Sequence, residues 1–280
     1  MPAPFARFIR CPFIVLAIVL ATLAACHARG AMASELVVDV PLGQGASISY
    51  LLTEQDGSQP QWVLVMLPGS EGDLELSQQP DGTIHMHEKN NFLIRARNLF
   101  VDSLFATAIV DAPSDHPGGY SDAFRASPRS AQDLAQVAAN LRARFPQAKL
   151  VLAGTSRGTI SSAYVGRALP DVWNAVVHMS TLSSPARGQA TPLIGFDYRA
   201  IRPRQLFVHH ADDGCYLCSY EALKCITDSG QYALITVHGG DARSKPCEAM
   251  SHHGFYESEE AVVAAVKAWI SGRPWPDDVG

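Results

Sequence analysis

Lys149-Leu150-Val151-Leu152-Ala153-Gly154-Thr155-Ser156-Arg157-Gly158-Thr159-Ile160-Ser161-Ser162-Ala163-Tyr164 is the stretch around which the rest of the chain is arranged. An apolar, β-prone run enters Gly-x-Ser-x-Gly, and small helix-forming residues leave it. Strand, sharp turn and helix in that order make a nucleophile elbow, with Ser156 at its tip. Gly154 and Gly158 lack a Cβ, so the incoming strand and the outgoing helix can approach closely there. The Ser156 hydroxyl then sits near a helix N-terminus, where negative charge is favoured.

Outward from this turn, short apolar runs alternate with helical periodicity. Leu36-Val37-Val38-Asp39-Val40 and Ser47-Ile48-Ser49-Tyr50-Leu51-Leu52 read as an antiparallel pair joined at Gly43-Gln44-Gly45. Gln61 to Leu67 is continuously apolar after its first residue, as a strand covered on both faces requires, and it stops at Pro68-Gly69-Ser70. Residues 73–90 are polar and read as a long surface loop, with His85 and His87 as solvated side chains. Phe92 to Ser103 has helical spacing, with Arg95 and Arg97 on its polar side. Leu104 to Val110 is the next strand, and the turn-rich segment Asp111 to Gly119 after it is either a pocket wall or a plain connector. Ser127-Pro128 opens a helix running to about Phe145. Beyond the elbow, strands are expected at Val172–Met179, Leu206–His210 and Tyr232–Val237, with helices at Glu221–Thr227 and Glu259–Ile270. This alternation predicts an α/β fold with one doubly wound, mostly parallel sheet. Little or no lid is expected, and only residues 180–205 leave room for a small one.

The chain has 280 residues, 47% of them hydrophobic and 18% charged, which suits one large domain behind a leader. A net charge of −5 offers no basic stripe for nucleic acid. Arg7 and Arg10 precede an apolar run from Cys11 to Ala25, interrupted only by Pro12 and Thr22, the pattern of a secretory signal. At about 15 residues that run barely spans a bilayer as an uncleaved anchor. Two exits compete. Leu23-Ala24-Ala25-Cys26 resembles a bacterial lipobox, which would leave a lipid-modified Cys26 attached to the membrane. Ala31-Met32-Ala33 is an A-x-A site with cleavage before Ser34. Either exit leaves residues 34–280 as a single domain in the bacterial cell envelope, periplasmic or lipid-anchored.

A serine hydroxyl is a weak nucleophile at neutral pH, so it needs a base, and the base needs an orienting acid. Asp212-Asp213 follows a late strand, and His252-His253 lies between the last strand and the final helix. The order Ser, Asp, His is the one this strand–turn–helix context uses.

With these three loops in this order, the chain resembles the α/β-hydrolases, in particular compact secreted bacterial members of the dienelactone hydrolase-like and dipeptidyl peptidase-like branches. In such families the acid falls in a pattern similar to His-Gly-x-x-Asp. His209-His210-Ala211-Asp212-Asp213 matches it with Asp213 as the acid, although His210 replaces the glycine and Asp212 stays open. The base commonly precedes Gly-Phe, which points to His253 over His252. The resemblance further implies an oxyanion hole from the N–H groups of Arg157 and of Ser70, with Pro68 where a histidine is usual. The side chain of Arg157 is expected either in a surface salt bridge or against an anionic substrate group. The implied activity is that of a serine hydrolase cleaving an ester or amide of a small-molecule or peptide acyl substrate, with no metal or organic cofactor. A non-catalytic binding protein of the envelope with the same fold is the rival reading, and such proteins usually lose a triad member.

Cys215, Cys218, Cys225 and Cys247 all lie in the C-terminal third, and an even count in an exported chain suggests two disulfides. The spacing Cys215-x-x-Cys218 also suits half a zinc site, but no second such pair completes one. If Asp213 reaches His253, the loops that carry them lie together. A Cys215–Cys247 bridge then becomes plausible and leaves Cys218 to pair with Cys225.

Overall fold

The computed structural model describes Met1 and residues 33–185, 191–230 and 232–280. The expected leader and Cys26 lie outside the described residues. Among the described residues, no helix is long and apolar enough to cross a membrane.

Among the described residues, eleven strands run in chain order. β1 (Ala33–Gly43), β2 (Ala46–Gln55), β3 (Trp62–Leu67), β4 (Ser77–Gln78), β5 (Ile84–His85) and β6 (Phe105–Val110) precede the elbow. β7 (Lys149–Thr155), β8 (Ala175–Met179), β9 (Arg204–His210), β10 (Ala233–Val237) and β11 (Asp278–Val279) complete them. The α-helices among the described residues are α1 (Phe92–Arg95), α2 (Arg97–Phe100), α3 (Asp122–Arg125), α4 (Pro128–Arg144), α5 (Gly158–Ala168), α6 (Tyr220–Gly230) and α7 (Glu259–Ile270).

Nine strands form one sheet in the order β1-β2-β6-β3-β7-β8-β9-β10-β11. β1 and β2 pair antiparallel, as does β2 with β6, and the strands from β6 to β11 are parallel. Side chains alternate across the central strands. Val63, Val65, Leu150 and Leu152 face the layer containing α4 and α5, while Leu64, Met66, Val151 and Ala153 face the layer containing α1, α2 and α7. A strand covered on both faces has no polar side, and this explains the unbroken apolar runs.

The chain leaves β3, adds β6 on one side, then crosses back to add β7 on the other. That reversal is the topological switch point, where a crevice opens at the C-terminal ends of the strands. The loops after β3 and β7 flank it. The elbow strand therefore delivers Ser156 to the place where such sheets bind ligands.

The expected helix over Phe92–Ser103 is two short ones. Ala96 caps α1 with αR backbone (φ −87°, ψ −3°) and opens α2. The break turns Arg95 off the expected polar face toward loop carbonyls described below. The 73–90 loop holds the small β4–β5 hairpin. β11, at two residues too short to show strand periodicity, pairs with β10 through Thr236–Asp278 and Val237–Val279. Within residues 180–205, Leu193, Tyr198 and Ile201 are buried in the core beside α5, and the described part of this stretch forms no cover over Ser156.

Candidate active site

β7 ends at Thr155, and Ser156 takes φ +52° before α5 begins at Gly158. A left-handed backbone costs a non-glycine residue about 1–2 kcal/mol, so neighbours must hold it. The Ser156 N–H donates to the Met179 carbonyl (2.9 Å), and its carbonyl accepts from the Thr159 N–H (2.8 Å) and hydroxyl (2.6 Å). A Cβ on Gly154 would collide with the Gly158 carbonyl, and one on Gly158 with the Leu67 carbonyl. The two glycines are therefore required by close packing around the turn.

β9 delivers the acid loop. Asp213 Oδ2 accepts from His253 Nδ1 at 2.9 Å and lies 3.3 Å from His209 Nε2, and Oδ1 accepts from the Cys215 N–H at 2.9 Å. Burial pushes the Asp213 carboxyl up, but hydrogen bonds from His209 and His253 outweigh it and hold the pKa down at about 2. The neighbouring candidates sit elsewhere. His252 Nδ1 meets the backbone carbonyl of Asp212 (3.3 Å), and its ring stacks on His210 with centroids 4.3 Å apart.

The base loop is braced from two sides. The buried Ser180 hydroxyl donates to the His253 carbonyl at 2.6 Å. Arg95 donates to the carbonyls of Asn90 (2.6 Å), Ala249 (3.2 Å) and Gly254, and to Glu259 (2.8 Å). Ser156 and His253 line one pocket of about 300 Å³ together with Gly69, Ser70, Phe92 and Met250. Among the described residues, no hydrogen bond joins Ser156 to His253.

No protein-family model matches this sequence, and none of the curated proteins matches it. Solved structures do. A lidless α/β serine hydrolase from Xanthomonas campestris superposes with a TM-score of 0.58 at 15% identity, covering 85% of this chain and 94% of that one. A dienelactone hydrolase from Anabaena variabilis gives 0.55 at 14% identity, over 86% and 98% of the two chains. A cold-adapted esterase from an Arctic intertidal metagenomic library gives 0.56 at 14% identity, over 86% and 93%. The fold is that of the α/β-hydrolases.

Within this α/β-hydrolase fold, the loop after β3 lies against the elbow. A Cβ on Gly69 would stand 2.9 Å from Ser156 Cβ, and Ser70 follows with φ +48°. Neither the Ser70 N–H nor the Arg157 N–H donates to another group among the described residues. The Arg157 side chain pairs with Asp122 (2.8 Å) and Glu71 (3.2 Å), the salt-bridge alternative.

The segment after β6 is a connector. Asp111 accepts from the N–H groups of Leu74 (2.7 Å) and Leu76 (2.8 Å), and no residue of 111–119 lines the Ser156 pocket. His87 lies 3.6 Å from Glu75, with both side chains exposed.

Cys215 and Cys247 form a disulfide. The expected second pair is absent, because Cys218 is buried beside the acid loop and Cys225 is exposed on α6. Ligand atoms of Cys215, Cys218 and His253 fall within 4.8 Å of one another, but the disulfide occupies the Cys215 sulfur. Nothing in the sequence marks Arg95, Ser180 or the buried Arg125 as supports of these loops. Only His209 had a signal, its place in the pattern that ends at Asp213.

Proposed function

We propose that this protein is an exported serine hydrolase that cleaves an ester or amide through an acyl-enzyme. The observation that carries the reading is the Asp213–His253 hydrogen bond of 2.9 Å at a pocket shared with a serine at an elbow of φ +52°. Asp213 is an acceptor-only carboxylate, so it fixes the His253 tautomer with the proton on Nδ1. Nε2 is then free to take the Ser156 proton as the hydroxyl attacks the carbonyl carbon, and apo geometry tightens when substrate binds. Charge develops on the carbonyl oxygen, and the N–H groups of Ser70 and Arg157 receive it. His253 returns the proton to the leaving group, and water repeats the sequence to release the acid. A pocket of about 300 Å³ suits a small acyl group.

Residues 34–280 act as a single catalytic domain in this reading, carried to the cell envelope by the leader and anchored there if Cys26 is lipidated. A fluorophosphonate probe tests the chemistry. Labelling of the native protein at Ser156, and its loss in Ser156→Ala, is the expected result. Absence of labelling in an active preparation overturns the nucleophile.

A further inference from the structure

Arg125, at the end of α3, is one of the largest fully buried side chains at 1% exposure. No carboxylate forms an ion pair with it among the described residues. Burying a charge without such a partner is expensive, so the hydrogen bonds it makes must hold it in place. Nη2 donates to the carbonyls of Pro68 (3.2 Å) and Ser70 (3.1 Å), with Gly69 O at 3.5 Å. Nη1 donates to the hydroxyl of Ser161 on α5 at 3.2 Å. The guanidinium lies 4.8 Å over the Tyr120 ring, whose hydroxyl donates to the Asp111 carbonyl at 2.9 Å. The approach is built for this side chain. Gly72 has φ +63°, and a Cβ there would stand 2.8 Å from Arg125 Nη2 and 3.0 Å from the Tyr120 ring. Burial pulls the Arg125 pKa down to about 10, which leaves it charged at neutral pH.

We propose that Arg125 is a positioning residue for the oxyanion hole, gripping the carbonyls of Pro68–Ser70 from behind so that the Ser70 N–H points into the pocket. In a trans peptide the C=O and N–H point in opposite directions. The Gly69 carbonyl drawn toward Arg125 therefore aims the Ser70 N–H away from it, at the side where Gly69 and Ser70 line the pocket. A flip of that peptide would instead present a carbonyl oxygen to the developing oxyanion, which repels it. The bond to Ser161 ties the same fork to the helix that begins beside Arg157, so both halves of the hole share one brace. This inference rests on the hydrolase reading above.

The test compares Arg125→Met and Arg125→Lys with the native protein on a small acyl ester and on an arylboronic acid, whose serine adduct mimics the tetrahedral intermediate. Losing one oxyanion donor costs on the order of 10²-fold in kcat, and that loss is expected for Arg125→Met with KM unchanged. Boronate affinity should fall in parallel, and Arg125→Lys should recover part of both. If Arg125→Met does not fold, Arg125→Lys carries the test. If neither folds, Gly72→Ala, whose methyl displaces the guanidinium, reads the same split. A folded variant with kcat within twofold of native, or with only KM raised, overturns the clamp. A native protein that neither hydrolyses the ester nor takes the fluorophosphonate overturns the hydrolase reading instead.

Discussion

Cys215 and Cys247 are joined across the loops that carry Asp213 and His253, with their Cα atoms 4.4 Å apart. The bond lies two residues after the acid and six before the base, and the Cys215 N–H itself donates to Asp213 Oδ1 at 2.9 Å. Covalent restraint thus acts directly on the loops of the proposed acid and base.

Cys247→Ser should therefore lower both stability and rate. The bridge spans 32 residues, and the chain-entropy model gives such a closure about 3–4 kcal/mol. A Tm lower by roughly 10 °C is expected for a domain of this size. Activity should decline under mild reductant before the sheet unfolds by circular dichroism. Coincident loss of the two signals would show that the bridge holds the fold without tuning the site.

The adjacent candidates should separate sharply in steady-state kinetics. His253→Ala and Asp213→Asn are each expected to lose on the order of 10³-fold or more in kcat/KM. His252→Ala and Asp212→Asn should stay within about threefold of native, since neither side chain reaches the Asp213–His253 pair, and surface changes are usually mild. A reversed ranking in either pair would move the role to the neighbour.

Ser156 should be a residue that is bad for stability. Its φ of +52° suits glycine, so Ser156→Gly should be more stable than Ser156→Ala by about 1 kcal/mol in urea unfolding, with both variants inactive. Equal stability of the two would mean that the elbow relaxes when the hydroxyl is removed.

Acid stability should depend on Asp213 in a definite direction. Its folded pKa of about 2 lies below the ordinary 3.8 of the unfolded chain. The carboxylate therefore contributes fully above about pH 4, and the contribution is lost as pH falls through about 2. The destabilisation by Asp213→Asn should accordingly be about 2 kcal/mol greater at pH 5 than at pH 2. A pH-independent difference would place the depression of the pKa elsewhere.

Mass spectrometry of the protein from its native envelope should find either a lipidated Cys26 or Ser34 at the N-terminus. An intact Met1 would defeat both exits of the leader.

Gly154-Thr155-Ser156-Arg157-Gly158 by itself determined the turn, because the residues that permit the geometry are contiguous and the two glycines fit nothing bulkier. The continuous apolar runs of Trp62–Leu67 and, within β7, Leu150 to Ala153 likewise announced strands buried on both faces, since burial follows from side-chain polarity at each position. The order of the three loops carried the fold and the candidate triad, and Asp213 with His253 meet as that order implied. The resemblance only ranked His253 over His252 and Asp213 over Asp212, and the tertiary structure supplies the geometry that separates them. His252 and His253 are chemically identical, and only the 3₁₀ turn His252–Gly254 sends one ring to Asp213 and the other to stack on His210. The Cys215–Cys247 pairing followed from the meeting of the two loops that the loop order implied, whereas the expected Cys218–Cys225 pair fails because one thiol is buried and the other exposed. Arg95 and Arg125 were unreadable as braces. An arginine on a short helix has the composition of a surface residue, and its burial depends on which loop carbonyls distant parts of the chain bring within reach of its guanidinium.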